Sequence, residues 1–189
     1  TLIKNCSKLS NEYISYFDLN INKDSIKSYL RKSFKSLVDK KKSKFKYYIL
    51  SNEDKNTWKN FRNLHKKVAG KITRPISTWN NQFDAIKNNN GFLVYALDYN
   101  TMIGGGFFQF SKDEAIYGTG AYIEDYKKFS IGHIIQYEAI KYMVEKNIKW
   151  YKLGNLYTSH DLIDLKSKNI SYFLSGFSSH IYRKNVYEL

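Results

Sequence analysis

The chain has 189 residues, a length that suits one folded domain, and its composition of 42% hydrophobic and 17% aromatic residues excludes a wholly disordered chain. The single cysteine, Cys6, excludes an intrachain disulfide framework and a cysteine-based zinc site, and it favours a reducing, cytoplasmic setting. No apolar run reaches the roughly 18 residues that a membrane-spanning helix requires. No metal site is expected, because the histidines lack spaced carboxylate or cysteine partners.

The net charge of +14 is concentrated in the first half of the chain. Residues 1–90 hold 20 Lys and Arg against 7 Asp and Glu, whereas residues 91–189 hold 11 against 10. The lysine-rich face formed by residues 31–46 is typical of a surface that attracts a polyanion such as tRNA, a nucleotide tail or an anionic membrane. A solvated lysine face without a partner is the alternative interpretation.

In chain order, residues 1–20 show no clear period and suit a strand or a linker. Apolar side chains then recur at steps of three and four from Ser25 to Val38, which predicts one amphipathic helix. The remaining pattern predicts a strand at 45–50, a helix capped by Asn52 or Asp54 and ended by Gly70, a helix from Ser77 or Thr78, strands at 92–97, 102–110 and 115–123, a helix at 131–146, a strand at 148–153, a helix at 165–174 and a strand at 178–186.

Hairpin-length connections separate the three central strands and so predict an antiparallel meander. The run Gly104-Gly105-Gly106 in the middle strand predicts a bulge or a close backbone approach. The strand–helix–strand order that follows predicts a parallel crossover. We therefore expect an α/β (α+β) fold, a mixed sheet with a central meander in the order β-α-α-β-β-β-α-β-α-β. Residues 23–189 form this domain, and residues 1–22 are a linker or the remnant of a preceding domain.

The clearest chemical signal lies at the junction between the 115–123 strand and the 131–146 helix. Small residues on the strand let a ligand approach closely, and a helix start offers free backbone N–H groups that bind phosphate. Two lysines beside it add positive charge, although an ordinary helix cap is the alternative. The residues predicted to bind a donor phosphate are Gly118, Thr119, Lys127, Lys128, Ser130, Ile131 and Gly132.

With this element order and the segment 117–142, the chain resembles the GNAT superfamily of acyltransferases. The resemblance implies that the pyrophosphate of acyl-CoA lies on the loop and helix start at 128–133. It also implies that the pantetheine arm lies in a splay between the fourth and fifth strands of the family's sheet. The loop here carries one glycine, fewer than the family pattern Q/R-x-x-G-x-G/A.

A closer resemblance is to the FemAB-like branch, whose members carry two tandem GNAT-like domains and in part transfer amino acids from aminoacyl-tRNA to peptidoglycan precursors. It covers roughly residues 25–180 and rests on the stretches 31–37, 64–70, 151–155 and 173–177 with Thr73, Arg74 and Trp79. It implies acyl-CoA or aminoacyl-tRNA as the donor, a small molecule or cell-wall precursor as the acceptor, and a preceding GNAT-like domain. Leu174 stands where the family pattern F-K-x-x-F has lysine.

Acyl transfer to an amine needs a base for the amine and an acid for the leaving group. His133 at the helix start, Asn155 and Tyr157 are the predicted catalytic residues. Arg74 and Trp79 lie where the resemblance places the acceptor, since arginine suits a carboxylate or phosphate and tryptophan a sugar or base. A helix-start histidine, a capping arginine and a core tryptophan are the structural alternatives. Further acid or base candidates are Tyr122, Glu124 and Asp125.

The sequence therefore favours an acyl- or aminoacyl-transferase that acts on an amine of a cell-envelope precursor or a nucleotide-linked sugar. A non-catalytic binding module with the same fold is one alternative, motivated by Leu174 and by the loop with one glycine. A basic tRNA- or membrane-surface-binding domain is another, motivated by the net charge alone.

Overall fold

The computed structural model describes residues 8–39, 43–158 and 161–188. The strands are β1 (Lys8–Asp18), β2 (Lys46–Leu50), β3 (Gly91–Asp98), β4 (Thr101–Phe110), β5 (Glu114–Tyr122), β6 (Trp150–Asn155) and β7 (His180–Glu188). The helices are α1 (Ile26–Tyr29), α2 (Lys55–Ala69), α3 (Ile76–Lys87), α4 (Ile131–Glu145) and α5 (Leu165–Ser175), with 3₁₀ turns at Lys23–Ser25, Lys32–Phe34 and Glu124–Phe129. The predicted element order is confirmed from β2 to β7.

All seven strands belong to one mixed sheet in the order β2-β3-β4-β5-β6-β1-β7. The predicted meander is β3-β4-β5, and the predicted crossover runs from β5 through α4 to β6, which pairs with β5 in parallel. β1 lies between β6 and β7 and pairs antiparallel with both. Residues 8–18 are therefore an internal strand of the sheet that the later elements build.

The prediction of a single helix from Ser25 to Val38 is wrong. α1 has four residues, because Leu30 and Arg31 adopt extended conformations with ψ of 149° and 136°. The backbone N–H of Arg31 instead donates a hydrogen bond of 2.9 Å to the carbonyl of Gly176, beyond the end of α5. A contact across the fold thus overrides the local helical period. The apolar positions of the predicted stripe are nonetheless buried at Ile26, Leu30, Phe34 and Val38.

The ends of α2 follow local signals in the sequence. Asp54, one of the two predicted caps, accepts hydrogen bonds of 2.9 and 3.1 Å from the N–H groups of Asn56 and Thr57. Gly70 follows the helix with a φ of 68°, a left-handed conformation that suits glycine. α3 then begins directly after Pro75, slightly earlier than predicted.

A hydrophobic cluster covers each face of the sheet. One face packs against α4 and the end of α5, with Phe92, Phe108 and Phe177 fully buried. The other face packs against α2 and α3, where Phe61 and Phe107 are fully buried. Burial of each such ring contributes roughly 1.5–3 kcal/mol, so the two clusters fix the helices on both sides of the central strands.

The glycines of β4 let both helical layers approach the sheet. A Cβ on Gly105 would lie 2.8 Å from the ring of Phe61, and a Cβ on Gly104 would lie 2.8 Å from Cγ2 of Ile131. Larger residues at these two positions would push α2 and α4 away from the sheet. The close approach predicted for the Gly104-Gly105-Gly106 run is therefore observed.

Candidate active site

A fork between β5 and β6 organises the site. The two strands pair through three residue pairs, the last of which is Ile116–Lys152. Beyond it, β5 continues along β4 and β6 continues along β1. We call the gap between residues 117–122 of β5 and residues 153–155 of β6 the fork. Strands that separate in this way leave backbone groups on their facing edges available to a ligand.

The N-terminus of α4 lies at the open end of the fork. The chain leaves β5 through the turn Glu124–Phe129 and reverses at Ser130, whose φ of 57° is left-handed. The N–H groups of Ile131 and Gly132 have no acceptor among the described residues, as is usual for a first helical turn. A Cβ on Gly132 would stand 3.6 Å from the ring of Tyr122. The predicted phosphate-binding helix start is thus adjacent to the fork.

Three lysines surround this helix start. Lys127 forms an ion pair with Glu124, which offsets part of its charge. Lys128 and Lys44 both approach the ring of Phe129, with their ammonium nitrogens 5.3 and 4.9 Å from its centroid. Lys44 precedes β2, and no local pattern marks it as a donor ligand, because only the folded chain brings it to this loop.

Tyr117 and Tyr122 meet at the fork with their hydroxyl oxygens 2.9 Å apart. Burial raises the pKa of Tyr117 to about 12. Burial, together with the neighbouring Tyr117, raises the pKa of Tyr122 well above its usual range. Both hydroxyls therefore stay protonated at neutral pH and can donate a hydrogen bond or a proton. Gly120 lies beneath this pair, and a Cβ there would overlap the Tyr117 hydroxyl.

His133 lies among aromatic rings on the α4 side of the sheet. Its ring centroid is 4.4 Å from that of Phe34 and 4.9 Å from that of Phe173, both in edge-on geometry. Burial lowers the pKa of His133 to about 4, so the imidazole is neutral at neutral pH. A group with so low a pKa is a weak base there. The catalytic role of His133 stays a prediction, and these surroundings favour the alternative of a packed histidine.

Thr119 faces the opposite side of the sheet, against α3. Its buried hydroxyl accepts a hydrogen bond of 2.9 Å from Nε2 of Gln82. Oε1 of Gln82 is buried without a partner among the described residues. The structure therefore places Thr119 apart from the start of α4. Gln82 was not predicted as a site residue, although its position three residues after Trp79 on an apolar stripe was a usable signal.

A pocket of about 240 Å³ opens between α2 and α3. Both predicted acceptor residues, Arg74 and Trp79, line it. Arg74 also donates a hydrogen bond of 3.4 Å to the carbonyl of Gly118, just past the last β5–β6 pair. The described lining includes no Asp or Glu and four cationic side chains, Arg62, Lys66, Lys71 and Arg74. The pocket is thus an electropositive site joined to the fork.

The pKa of the His65 imidazole reflects the positive charge around this pocket. Burial lowers its pKa, and the charges of Arg74 and Lys166 lower it further. Lys166 belongs to the first turn of α5, so this turn lies within electrostatic reach of the pocket. The ring of His65 packs edge-on against Trp79, with the ring centroids 5.1 Å apart.

The remaining predicted residues lie at and beyond the end of β6. Asn155 is its last residue, and the N–H of Tyr157 donates a hydrogen bond of 3.0 Å to Oγ of Ser171 on α5. Leu174 is buried in the cluster on the α4 side. The side chain at the position of the family's lysine is therefore a core residue in this chain.

The described part of the chain offers no candidate for a metal site or for a membrane-spanning helix. None of its His, Cys, Asp and Glu side chains form a group of three or more that could hold a metal ion. None of its helices has the length and apolar character needed to cross a membrane. Lys40, Lys41 and Lys42 of the lysine-rich face, together with Cys6 and His160, lie outside the described residues.

Comparison with solved structures finds proteins of similar fold. The chain is similar to FemX (TM-score 0.73, 16% identity, 90% of this chain and 59% of FemX covered). It is also similar to the C-terminal domain of a putative lysylphosphatidylglycerol synthetase from Agrobacterium fabrum (TM-score 0.67, 8% identity, coverage 94% and 60%). A third similar structure is the aminoglycoside acetyltransferase AAC(6')-Iy in complex with the bisubstrate analog CoA-S-monomethyl-acetylneamine (TM-score 0.52, 10% identity, coverage 70% and 90%).

The chain spans about three fifths of the length of the first two of these proteins. No protein-family model matches it, and a search of the curated proteins finds no similar sequence. At these identities the likeness concerns the fold, and the chain has a GNAT/FemAB-like fold.

Proposed function

We propose that this chain is an N-acyltransferase domain that moves an acyl group from acyl-CoA to an amine of an anionic acceptor, a cell-envelope precursor or a nucleotide-linked sugar. The observation that carries the proposal is the fork beside the free N–H groups of α4. A donor arm in the fork would pair with the separated strand edges, and its phosphates would lie at the helix start. The CoA analog bound to an acetyltransferase of similar fold supports this choice of donor.

The donor phosphates would meet backbone and side-chain groups from two parts of the chain. The N–H groups of Ile131 and Gly132 would supply hydrogen bonds, while Lys44 and Lys128 would supply charge beside the ring of Phe129. Lys127 contributes less, because Glu124 already pairs with it. This arrangement compensates for the single glycine of the loop, since phosphate binding at a helix start depends on N–H groups and charge.

The acceptor would bind in the pocket between α2 and α3. Four cations and no carboxylate in its described lining repel a polycationic amine and attract a phosphate or carboxylate. An aminoglycoside is therefore a poor candidate acceptor, although acetyltransferases of aminoglycosides share the fold. Arg74 lies between this pocket and Gly118, so an anion held by Arg74 is close to the fork.

The reaction requires four changes of bonding at the fork. The uncharged amine attacks the thioester carbonyl, a C–N bond forms, the C–S bond breaks, and the amine loses a proton to solvent. The leaving thiolate then takes a proton, for which we propose the hydroxyl of Tyr122, backed by that of Tyr117, and the Tyr122 phenolate regains a proton from solvent. Asn155 and Tyr157, at and beyond the end of β6, would hydrogen-bond the acyl carbonyl oxygen from the other side of the fork.

Calorimetric titration with acetyl-CoA and longer acyl-CoAs tests the donor, and multiple turnover with a phosphate-bearing amine tests the reaction. Lys128→Glu should weaken donor binding about tenfold, because it reverses a charge beside the phosphates. Lys112→Glu is the matched control, since Lys112 precedes β5 at its opposite end.

The possible outcomes separate the alternatives. Binding of tRNA without binding of any acyl-CoA would indicate that the donor is an aminoacyl-tRNA and not acyl-CoA. Donor binding without turnover on any amine would support the non-catalytic module. Absence of binding to every donor would reject the proposal.

A further inference from the structure

Exposed aliphatic side chains gather at one end of the molecule. Among the Val, Ile, Leu and Met side chains that the structure describes, three are more than 70% exposed. Ile72 is 72% exposed, Leu165 is 73% exposed and Leu162 is fully exposed. Single exposed apolar residues are ordinary on protein surfaces, but a cluster of the most exposed ones marks an interaction surface.

These three residues lie on two segments, called the two loops below: the loop between α2 and α3, and the segment before α5 together with the first turn of that helix. Ile72 is in the loop between α2 and α3, whereas Leu162 and Leu165 are at the start of α5. Partly exposed aliphatic neighbours extend the same surface at Val68, Ile76 and Ile163. We call residues 66–76 and 161–168 the docking end.

The fold brings the two loops to the same end of the sheet. Arg74 bonds to Gly118 on β5 past the last β5–β6 pair, and β6 runs parallel to β5 and leads into the second loop. Arg74 and Lys166, one from each loop, both lie near enough to His65 for their charges to lower its pKa. The exposed aliphatic residues of both loops are therefore presented together around the electropositive pocket.

Positive charge dominates this end of the molecule. Two carboxylates lie there and are engaged locally, since Asp161 accepts a hydrogen bond from the hydroxyl of Thr158 and Asp164 caps α5 through Ser167. The cations of the docking end outnumber them six to two and are Lys66, Lys67, Lys71, Arg74, Lys166 and Lys168.

We propose that the docking end binds the surface of an anionic lipid bilayer, with Ile72, Leu162 and Leu165 inserted at the level of the headgroups and the surrounding cations among the lipid phosphates. Basic residues that flank exposed aliphatic ones are the composition of interfacial membrane binding. Charge complementarity selects this occupant, because an apolar protein partner would leave the cations uncompensated. RNA would leave the aliphatic side chains uncovered.

Membrane docking would set the orientation of the pocket between α2 and α3. Ile72 and Ile76 line this pocket as well as belonging to the docking end. The pocket would then open towards the bilayer, where an anionic amphiphile can enter it without leaving the membrane. The docking itself does not depend on acyl transfer, so each is testable without the other.

Co-sedimentation with lipid vesicles tests the proposal. The chain should bind phosphatidylcholine vesicles that contain about 30% phosphatidylglycerol, should bind phosphatidylcholine alone far more weakly, and should dissociate as salt rises. The double variant Leu162→Ser, Leu165→Ser should lower the partition coefficient at least about tenfold, because it removes two inserted side chains. Lys67→Gln and Lys71→Gln should each lower it roughly fivefold.

Matched controls separate this surface from general hydrophobicity and charge. Ile181→Ser removes an aliphatic side chain that is exposed on β7, and Lys59→Gln removes an exposed charge of α2 outside the docking end. Both should bind vesicles as the parent chain does. Both leucines of the double variant are exposed, so circular dichroism should show a fold that is unchanged.

Three results would overturn the proposal. The first is equal binding to anionic and neutral vesicles, and the second is vesicle binding that the leucine substitutions leave intact. The third is a dimer that the leucine substitutions convert to a monomer, without vesicle binding, which would assign the surface to a second copy of the chain. Acyl-CoA titration of the double variant reports on the donor site separately, so failure of acyl transfer and failure of docking are distinguishable.

Discussion

The guanidinium of Arg74 donates a hydrogen bond of 3.4 Å to the backbone carbonyl of Gly118, and this contact joins the pocket between α2 and α3 to β5. Arg74→Gln removes both the charge and the forked donor. We expect kcat/KM for an anionic acceptor to fall at least about tenfold, because a hydrogen bond to a charged group contributes about 1.5–3 kcal/mol. The dissociation constant of acyl-CoA should not change.

Steady-state kinetics with varied acceptor, and calorimetry with the donor, distinguish these two effects. Arg183→Gln is the control, since Arg183 lies on β7 and donates to Asn11 at 3.0 Å. Loss of donor binding in Arg74→Gln would show that the arginine supports the fork itself and does not act through the acceptor.

Tyr122→Phe removes the proposed proton donor while preserving the ring. We expect kcat to fall about 100-fold, the lower end of the range for general acid catalysis, with little change in donor affinity. Rapid-quench single turnovers give the chemical step directly. Tyr126→Phe is the comparison, because its hydroxyl bonds to Asp98 at 2.9 Å outside the fork. Equal rates in the two variants would remove Tyr122 from the mechanism.

The lowered pKa of His133 predicts how the free energy of unfolding depends on pH. Its pKa of about 4 in the folded chain lies below the ordinary 6.5, so the unfolded chain binds the proton more tightly between these values. The free energy of unfolding should therefore fall as the pH drops through this window, by less than about 1.4 kcal/mol per pH unit, since part of the ring is screened by solvent.

His133→Phe should flatten this dependence, because phenylalanine does not titrate and suits the aromatic surroundings. Urea unfolding at several pH values between about 4.5 and 7.5 measures it. His65, whose pKa is also lowered, should leave a smaller slope of the same sign. An unchanged slope in His133→Phe would mean that the imidazole is solvated in the folded chain.

Gly176 and Phe34 form a steric pair at the end of α5. A Cβ on Gly176 would overlap the buried ring of Phe34. Gly176→Ala should lower the free energy of unfolding by about 1–3 kcal/mol through overpacking. Adding Phe34→Leu should cost less than the sum of the two single changes, because the shorter side chain makes room.

Gly70→Ala is the control for Gly176→Ala in urea unfolding. No atom lies within 4 Å of its Cβ position, but its φ of 68° is strained for alanine. It should therefore destabilise the chain without any relief from Phe34→Leu. Additivity of Gly176→Ala and Phe34→Leu would contradict the steric account.

Local signals in the sequence predicted much of the fold. Asp54 and Gly70 mark the ends of α2 because capping depends on nearest neighbours. The meander follows from short connections, and the start of α4 follows from the residues around Ser130. For the same reason, α4 begins at Ile131, where the sequence pattern predicts the start of a helix. Phosphate binding at this helix start stays a prediction.

Contacts between distant parts of the chain could not be predicted from local sequence signals. Arg31 breaks the predicted first helix because its N–H bonds to Gly176, 145 positions later in the sequence. Lys44 reaches the loop before α4, and Gln82 reaches Thr119, without a pattern that links them in sequence. The position of β1 between β6 and β7 also depends on strands at the other end of the chain.

The internal position of β1 has a consequence for how the chain folds. β1 pairs with β6 and β7, so its register can be set only after more than a hundred further residues have been synthesised. The meander and its helices are contiguous in sequence and can assemble earlier, whereas both edges of β1 stay open until β6 and β7 arrive. Folding of this sheet thus includes a late step in which β1 joins β6 and β7, and a chain that pauses before β7 exposes an edge strand to aggregation.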